Sequence, residues 1–231
     1  MRYMSARLLL FLPLLSGALT AAAGEGRAEI PLQAGGAFSV PLVSMKEMRF
    51  LKTIHQQYDF SCGSAALATL LTHHYNFPVT EQAVFREMFE RGDKVKIKKE
   101  GFSLLDIKSY LAARGFQSEG YVADVEKLAV AQVPAITLIK ERGYHHFVVV
   151  KGLRDGRVLI GDPSAGTRAV SQAKFREMWV NNILFVIINR KDQALFNVAA
   201  DWRAAPQGPV GDGLYRGGAE FGFGKRGPAD F

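Results

Sequence analysis

Gly115 divides this chain into two textures, and that order restricts the fold more than any other feature. Before it, apolar residues recur at helical spacing. After it come short β-rich runs, "FQSEGYV", "VPAITLI", "HFVVVKGL", "RVLIGD" and "ILFVIIN". Helices first and strands afterwards is an α+β layout, not the alternation of an α/β fold. Local turns then make the sheet mostly antiparallel, and Asp155-Gly156 between two of the runs is a hairpin signal.

Three helices are expected in the first part. "SCGSAALATLLTHHYN" places Ala65, Leu67, Ala68, Leu70 and Leu71 as a buried face, with Asn76 and Pro78 ending it. Thr80 caps a second helix that runs to Gly92, and Ser103 caps a third that stops near Gly115. Shorter helices fit Asp124 to Ala131 and Ser171 to Trp179. The stretch "AFSVPLVSMKEMRFLKTIHQ" suits a strand or hairpin.

The N-terminus reads differently. Arg2 and Arg7 precede the apolar run "LLLFLPLL", and Ala21-Ala22-Ala23 fits a cleavage site, so residues 1–23 are expected to be a secretory signal peptide. The apolar run is too short to span a bilayer and holds Pro13, so no stable membrane insertion is expected after cleavage. Residues 24–48 read as a lead-in, 49–192 as the folded domain and 193–231 as an irregular tail, with eight glycines between Gly208 and Gly227.

The net charge is +7, which falls by two to +5 without Arg2 and Arg7. The densest basic run, "KVKIKKEG" (94–101), reads as a solvated hairpin or loop, with a patch for an acidic partner as the alternative. It comes with no recognised nucleic-acid motif, and no nucleic-acid partner is expected.

Export sharpens the meaning of Cys62, the only cysteine. It cannot form an internal disulfide, which leaves a reactive thiol, a bridge to another chain or an inert side chain. At a helix start, free backbone N–H groups and the helix dipole favour a thiolate. Gly63 removes bulk beside the sulfur, and Ser64, Ala65 and Ala66 allow close packing beneath it.

A thiolate also needs an imidazole. His73 and His74 lie three turns along the helix, about 16–18 Å away, and read as charge at its C-terminus. His145 and His146 open the strand "HFVVVKGL". Both alternating sets of that strand are apolar, so periodicity does not choose between them. Asp162 follows at the end of the next run, where a hairpin through Asp155-Gly156 would return it to His146. The plainer reading of Asp162-Pro163 is a turn start. For an oxyanion, the Cys62 backbone N–H and the side chain of Gln56 are candidate donors, with Gln57 as a substitute.

Taken together, "QYDFSCGSAALATLL", "HHFVVVKGL" and "VLIGDPSAGTRAVSQAKFREMW" resemble the bacteriocin-processing (double-glycine leader) cysteine peptidase family over roughly residues 50 to 190. The resemblance implies a papain-like fold and places Gln56, Cys62, His146 and Asp162 on the family's oxyanion donor and Cys-His-Asp triad. It thereby picks His146 over His145. It implies a protein or peptide substrate and no metal or cofactor. Many members are fused to a transporter, whereas this sequence carries an export signal and no P-loop. It is most similar to the stand-alone exported branch, and within it to the peptidase-like component of functional-amyloid (Fap) secretion systems. A periplasmic cysteine endopeptidase is the expectation. A cell-wall peptide amidase and a non-catalytic binding or chaperone module on the same fold are the alternatives.

Overall fold

The structure is a computed structural model that describes residues 27–31, 37–41 and 43–205. The expected signal peptide and residues 206–231 lie outside the described residues. Within the expected lead-in, strands β1 (Arg27–Pro31) and β2 (Ala37–Pro41) pair antiparallel, with Arg27 opposite Pro41. This hairpin belongs to a separate compact unit that ends at Val43.

The second unit begins at Ser44, which caps α1 (Met45–Phe50) through a reciprocal capping box with Glu47. Next come α2 (Cys62–His74), α3 (Glu81–Arg91), α4 (Lys94–Glu100) and α5 (Leu104–Ala112). Thr80 and Ser103 accept N–H bonds at the starts of α3 and α5, as their positions predict. Beyond Gly115 follow β3 (Ser118–Val122), α6 (Glu126–Ala131), β4 (Ala135–Glu141), β5 (Tyr144–Arg154), β6 (Arg157–Asp162), β7 (Gly166–Ser171), α7 (Gln172–Met178) and β8 (Ile183–Ile187). Strands β3 to β8 form one antiparallel sheet in the order β3-β8-β4-β5-β6-β7. The fold is α+β and papain-like, as expected.

Helix α2 is the centre. Apart from Thr72 and His73 it is buried all round, because it lies between α3 on one side and β5 on the other. The sheet is covered on both faces. Phe147 and Val149 of β5 pack with Leu67, Leu70 and Leu71 of α2, while Val148 and Val150 pack with Phe175 and Trp179. Double coverage is why the apolar pattern of β5 does not alternate. Asp155 (φ 53) and Gly156 (φ 69) take the left-handed backbone of a tight hairpin turn, joining β5 to β6 as expected.

Three expectations change. The run 94–100 is helix α4, not a hairpin or loop: Asp93 caps it, Ile97 buries, and Lys94 and Lys98 lie over the Phe89 ring. His73 and His74 are not charged ends of α2. Burial pushes them down to about 4 and about 3, and His74 Nδ1 donates to the Leu195 carbonyl at 2.7 Å. The irregular tail starts later than residue 193. The Asn197 N–H donates to the Lys151 carbonyl, and α8 (Ala199–Arg203) brings Asp201 to the buried Lys151 ammonium at 3.3 Å. Among the described residues, no helix is long and apolar enough to cross a membrane.

Candidate active site

The start of α2 is built to receive an anion. Ser61 occupies the cap position, but its hydroxyl is tied into the preceding turn, accepting from the Tyr58 N–H (3.1 Å) and donating to the Tyr58 carbonyl (3.0 Å). The first N–H groups of the helix are therefore left for another acceptor. Cys62 opens the helix at that place, where the N–H groups of Phe147, Gly63 and Cys62 favour the thiolate. Phe147 directly follows His146, so the sulfur sits against β5 at the level of the histidines.

Cys62 is free and only 8% exposed. Burial pushes its thiol up, with the Asp162 charge adding to the rise, while those three N–H groups pull it down. Gly63 acts differently from its expected role. A Cβ there would meet Phe102 Cβ at 2.9 Å, so the glycine lets α2 seat against the core and does not open the sulfur to a substrate.

Asp162 ends β6 and is 1% exposed. Its Oδ2 accepts from His146 Nε2 at 3.1 Å, and its Oδ1 from the Ser164 N–H (2.9 Å) and hydroxyl (2.7 Å). Burial alone would raise this carboxyl. Hydrogen bonds from His146 and Ser164, with the His146 charge, hold it well below the usual carboxylate range. The hairpin thus joins two residues 16 apart in sequence. With Nε2 committed to Asp162, Nδ1 is the uncommitted ring nitrogen. Imidazole and sulfur are not hydrogen-bonded to each other among the described residues.

Strand parity adds a detail. His145 shares the face of Phe147 and Val149, towards α2. His146 shares that of Val148 and Val150, where Asp162 lies. His145 lines the cavity beside Cys62, and both histidines line the cleft that holds Asp162. Only His146 has a carboxylate partner among the described residues.

Gln56 borders the same cleft. Its amide nitrogen donates to the Tyr58 carbonyl at 3.0 Å, and its oxygen is buried without a partner. Gln57 is exposed, lies outside the lining of that cleft and accepts from Gln82 Nε2 at 3.1 Å through its Oε1. Two cavities meet here. One, about 350 Å³, is largely apolar and is lined by Cys62, Phe102, Leu138 and Phe147. The other, about 720 Å³, has a mixed lining that includes Gln56, His146, Asp162 and Arg168.

Comparison with known proteins decides the family. Residues 51–191 match the model of the Peptidase C39 family. The chain belongs to that family. Its Peptidase C39 relatives include the probable functional amyloid protease FapD of Pseudomonas aeruginosa, 38% identical over 79% of this chain and 80% of that one. The FapD of Pseudomonas fluorescens is 37% identical over 71% and 72%. Among solved structures, the peptidase domain of Streptococcus ComA, a bi-functional ABC transporter involved in a quorum sensing pathway, superposes with a TM-score of 0.50 at 24% identity. That match covers 59% of this chain and 97% of that domain, and supports the fold. The chain is thereby a member of a cysteine peptidase family, related to probable functional-amyloid proteases.

Sequence reasoning missed two residues of the site. Arg168 on β7 donates to Asp162 Oδ2 and to Glu141 Oε2, at 2.9 and 2.8 Å. Ligand atoms of Glu141, His146 and Asp162 all fall within 4.8 Å of one another, a spacing a metal ion would accept. The guanidinium already bridges both carboxylates, so a metal would have to displace it. No motif flagged either residue. The one available signal was an arginine six positions after the aspartate, on the far side of a turn.

Proposed function

We propose that this chain is an exported, periplasmic cysteine endopeptidase that cleaves a protein substrate of a functional-amyloid or secretion system. Cys62 is the nucleophile, His146 the acid–base and Asp162 the group that orients the ring. The observation that carries the reading is the 3.1 Å bond from His146 Nε2 to Asp162, made one residue from the N–H that faces the sulfur. Because burial opposes a bare thiolate here, the negative sulfur needs the imidazolium as its counter-charge. The thiolate attacks the scissile carbonyl, and His146 gives its proton to the leaving amine. Water then releases the acyl group. The Cys62 N–H and the Gln56 amide hold the oxyanion, and Gln56 does so by giving up its bond to Tyr58. The relationship to FapD supports an amyloid-system substrate.

The test is incubation of the mature chain with purified secreted proteins of an amyloid system, read by intact-mass spectrometry beside Cys62→Ala. Cleavage with the native chain and none with the variant is the expected result. Stable binding without cleavage by either would replace the endopeptidase with a binding module. The 8% exposure of the sulfur is the observation that keeps that second reading alive.

A further inference from the structure

We propose that Arg168 is a positioning residue of this site, bridging Asp162 and Glu141 so that Asp162 faces His146 and its fixed charge sets the pH range over which Cys62 and His146 form a thiolate–imidazolium pair. The inference rests on the reading of Cys62 and His146 as a nucleophile pair.

The geometry is specific. Arg168 lies on β7 opposite Ile160 of β6, on the sheet face that carries Asp162. Its Nη2 and Nε reach Asp162 Oδ2 at 2.9 and 3.3 Å, and that same oxygen faces His146 Nε2. Nη2 also reaches Glu141 Oε2 at 2.8 Å. The other Asp162 oxygen is held by Ser164, with the Ala165 N–H at 3.3 Å, so the carboxylate has no freedom to rotate. Ser164 and His146 already satisfy a buried aspartate. What the guanidinium adds is a cation that cannot deprotonate, set between two carboxylates beside the imidazole.

The sign of its effect follows. With Arg168 in place, the Asp162, Glu141 and Arg168 group carries one net negative charge towards His146 and the sulfur. Removing the guanidinium leaves two, which favours the imidazolium and disfavours the thiolate. Both limits of the thiolate–imidazolium pair, thiol ionisation below and imidazolium deprotonation above, then move to higher pH. Neutralising Glu141 moves both the opposite way. The other ionisable or charged groups lining the cleft with His146 are Asp59 ahead of α2, Arg142 in the β4–β5 turn, and Tyr144 and His145 on β5. All of them stay constant across the variants.

Cys62 is the only thiol, so the rate of iodoacetamide alkylation of the mature chain, followed from pH 4 to 10, reports on it alone. Arg168→Met is expected to raise both midpoints by on the order of one pH unit. Glu141→Gln is expected to lower them, and Arg168→Lys to stay within a few tenths of a unit of the native chain, since it keeps the charge. Should Arg168→Met fail to fold, the Glu141→Gln and Arg168→Lys profiles still decide. Midpoints that do not move, or that move the same way in Arg168→Met and Glu141→Gln with native circular dichroism, overturn the inference. A native chain that alkylates with a single ordinary thiol midpoint overturns the nucleophile pair as well, and that result is distinguishable because it appears before any variant is made.

Discussion

Strands β5 and β7 each contribute to two ion clusters, and the two clusters are opposites. Around His146, Asp162, Arg168 and Glu141, the cations and Glu141 keep partial access to water, with side-chain exposures of 16% for His146 and 22% for Arg168. Around Lys151 the charges are sealed, with side-chain exposures of 0% for Lys151 and 5% for Asp201. Its ammonium donates to the Lys52 carbonyl at 2.8 Å and to Thr167 at 3.4 Å, and pairs with Asp201 at 3.3 Å. Thr53 and Thr167 join hydroxyls beside it at 2.7 Å. Thr167 and Arg168 are neighbours on β7 and project to opposite faces. Adjacent residues thus serve a sealed cluster and an open one. In the sealed cluster the charges hold the segment 195–204 onto the sheet. In the open one a ring nitrogen remains uncommitted, and a proton can come and go. Access to water, not the type of residue, separates a structural ion pair from one suited to chemistry.

The comparison breaks first if single substitutions fail to separate the two roles. His146→Ala is expected to lower kcat/KM by more than about 10³-fold, as loss of a triad member does, with little change in unfolding free energy. Lys151→Met is expected to do the reverse. It leaves Asp201 buried without a partner, at a cost of about 3–5 kcal/mol in urea unfolding, while the folded fraction cleaves at the native rate. If Lys151→Met abolished cleavage in chains shown to be folded, the sealed cluster would have to be coupled to the site.

Why was one cluster readable from the sequence and the other not? The hairpin signal at Asp155-Gly156 carried the pairing of His146 with Asp162, because a tight turn converts sequence separation into position. The caps at Thr80 and Ser103 and the β-rich runs were local signals of the same kind. Lys151 with Asp201 had no such signal. The segment after residue 193 has no apolar periodicity, and its order comes from a counter-charge 50 residues away in sequence. Helix α4 was missed because Ile97 is its one buried residue among four lysines and a glutamate, so its existence depends on the Asp93 cap and the core it docks on. Strand β7 went unread because "GTRAVS" is short and its small and polar residues suit an edge strand. Arg168 was lost with it, and Glu141 lay past the run read for β4, since nothing local says which charged residue a strand brings to which neighbour.

A finer test uses the two histidines, which strand parity assigns to different faces. His145 lines the cavity with Cys62 but has no carboxylate partner among the described residues, whereas His146 has Asp162. His145→Ala is expected to change kcat/KM by less than about tenfold, against more than about 10³-fold for His146→Ala. Comparable losses in the two would mean that the imidazole on the helix side, not the one held by the carboxylate, serves the sulfur.

The smallest expected effect concerns protons in the sealed cluster. Burial pushes the Lys151 ammonium down to about 8 from an ordinary 10.5, although Asp201 pulls it up. Below pH 8 both the folded and unfolded chains hold this proton. Between pH 8 and 10.5 the unfolded chain holds it more fully than the folded one, so this group makes unfolding free energy rise with pH across that window. Other groups add their own slopes, and the difference between the native chain and Lys151→Met isolates this one. The native chain is expected to gain stability relative to the variant from pH 8 to 10.5, followed by urea midpoints at half-unit steps. A difference that stays flat would mean that Lys151 keeps its charge throughout, and that Asp201 outweighs burial in a cluster that excludes water.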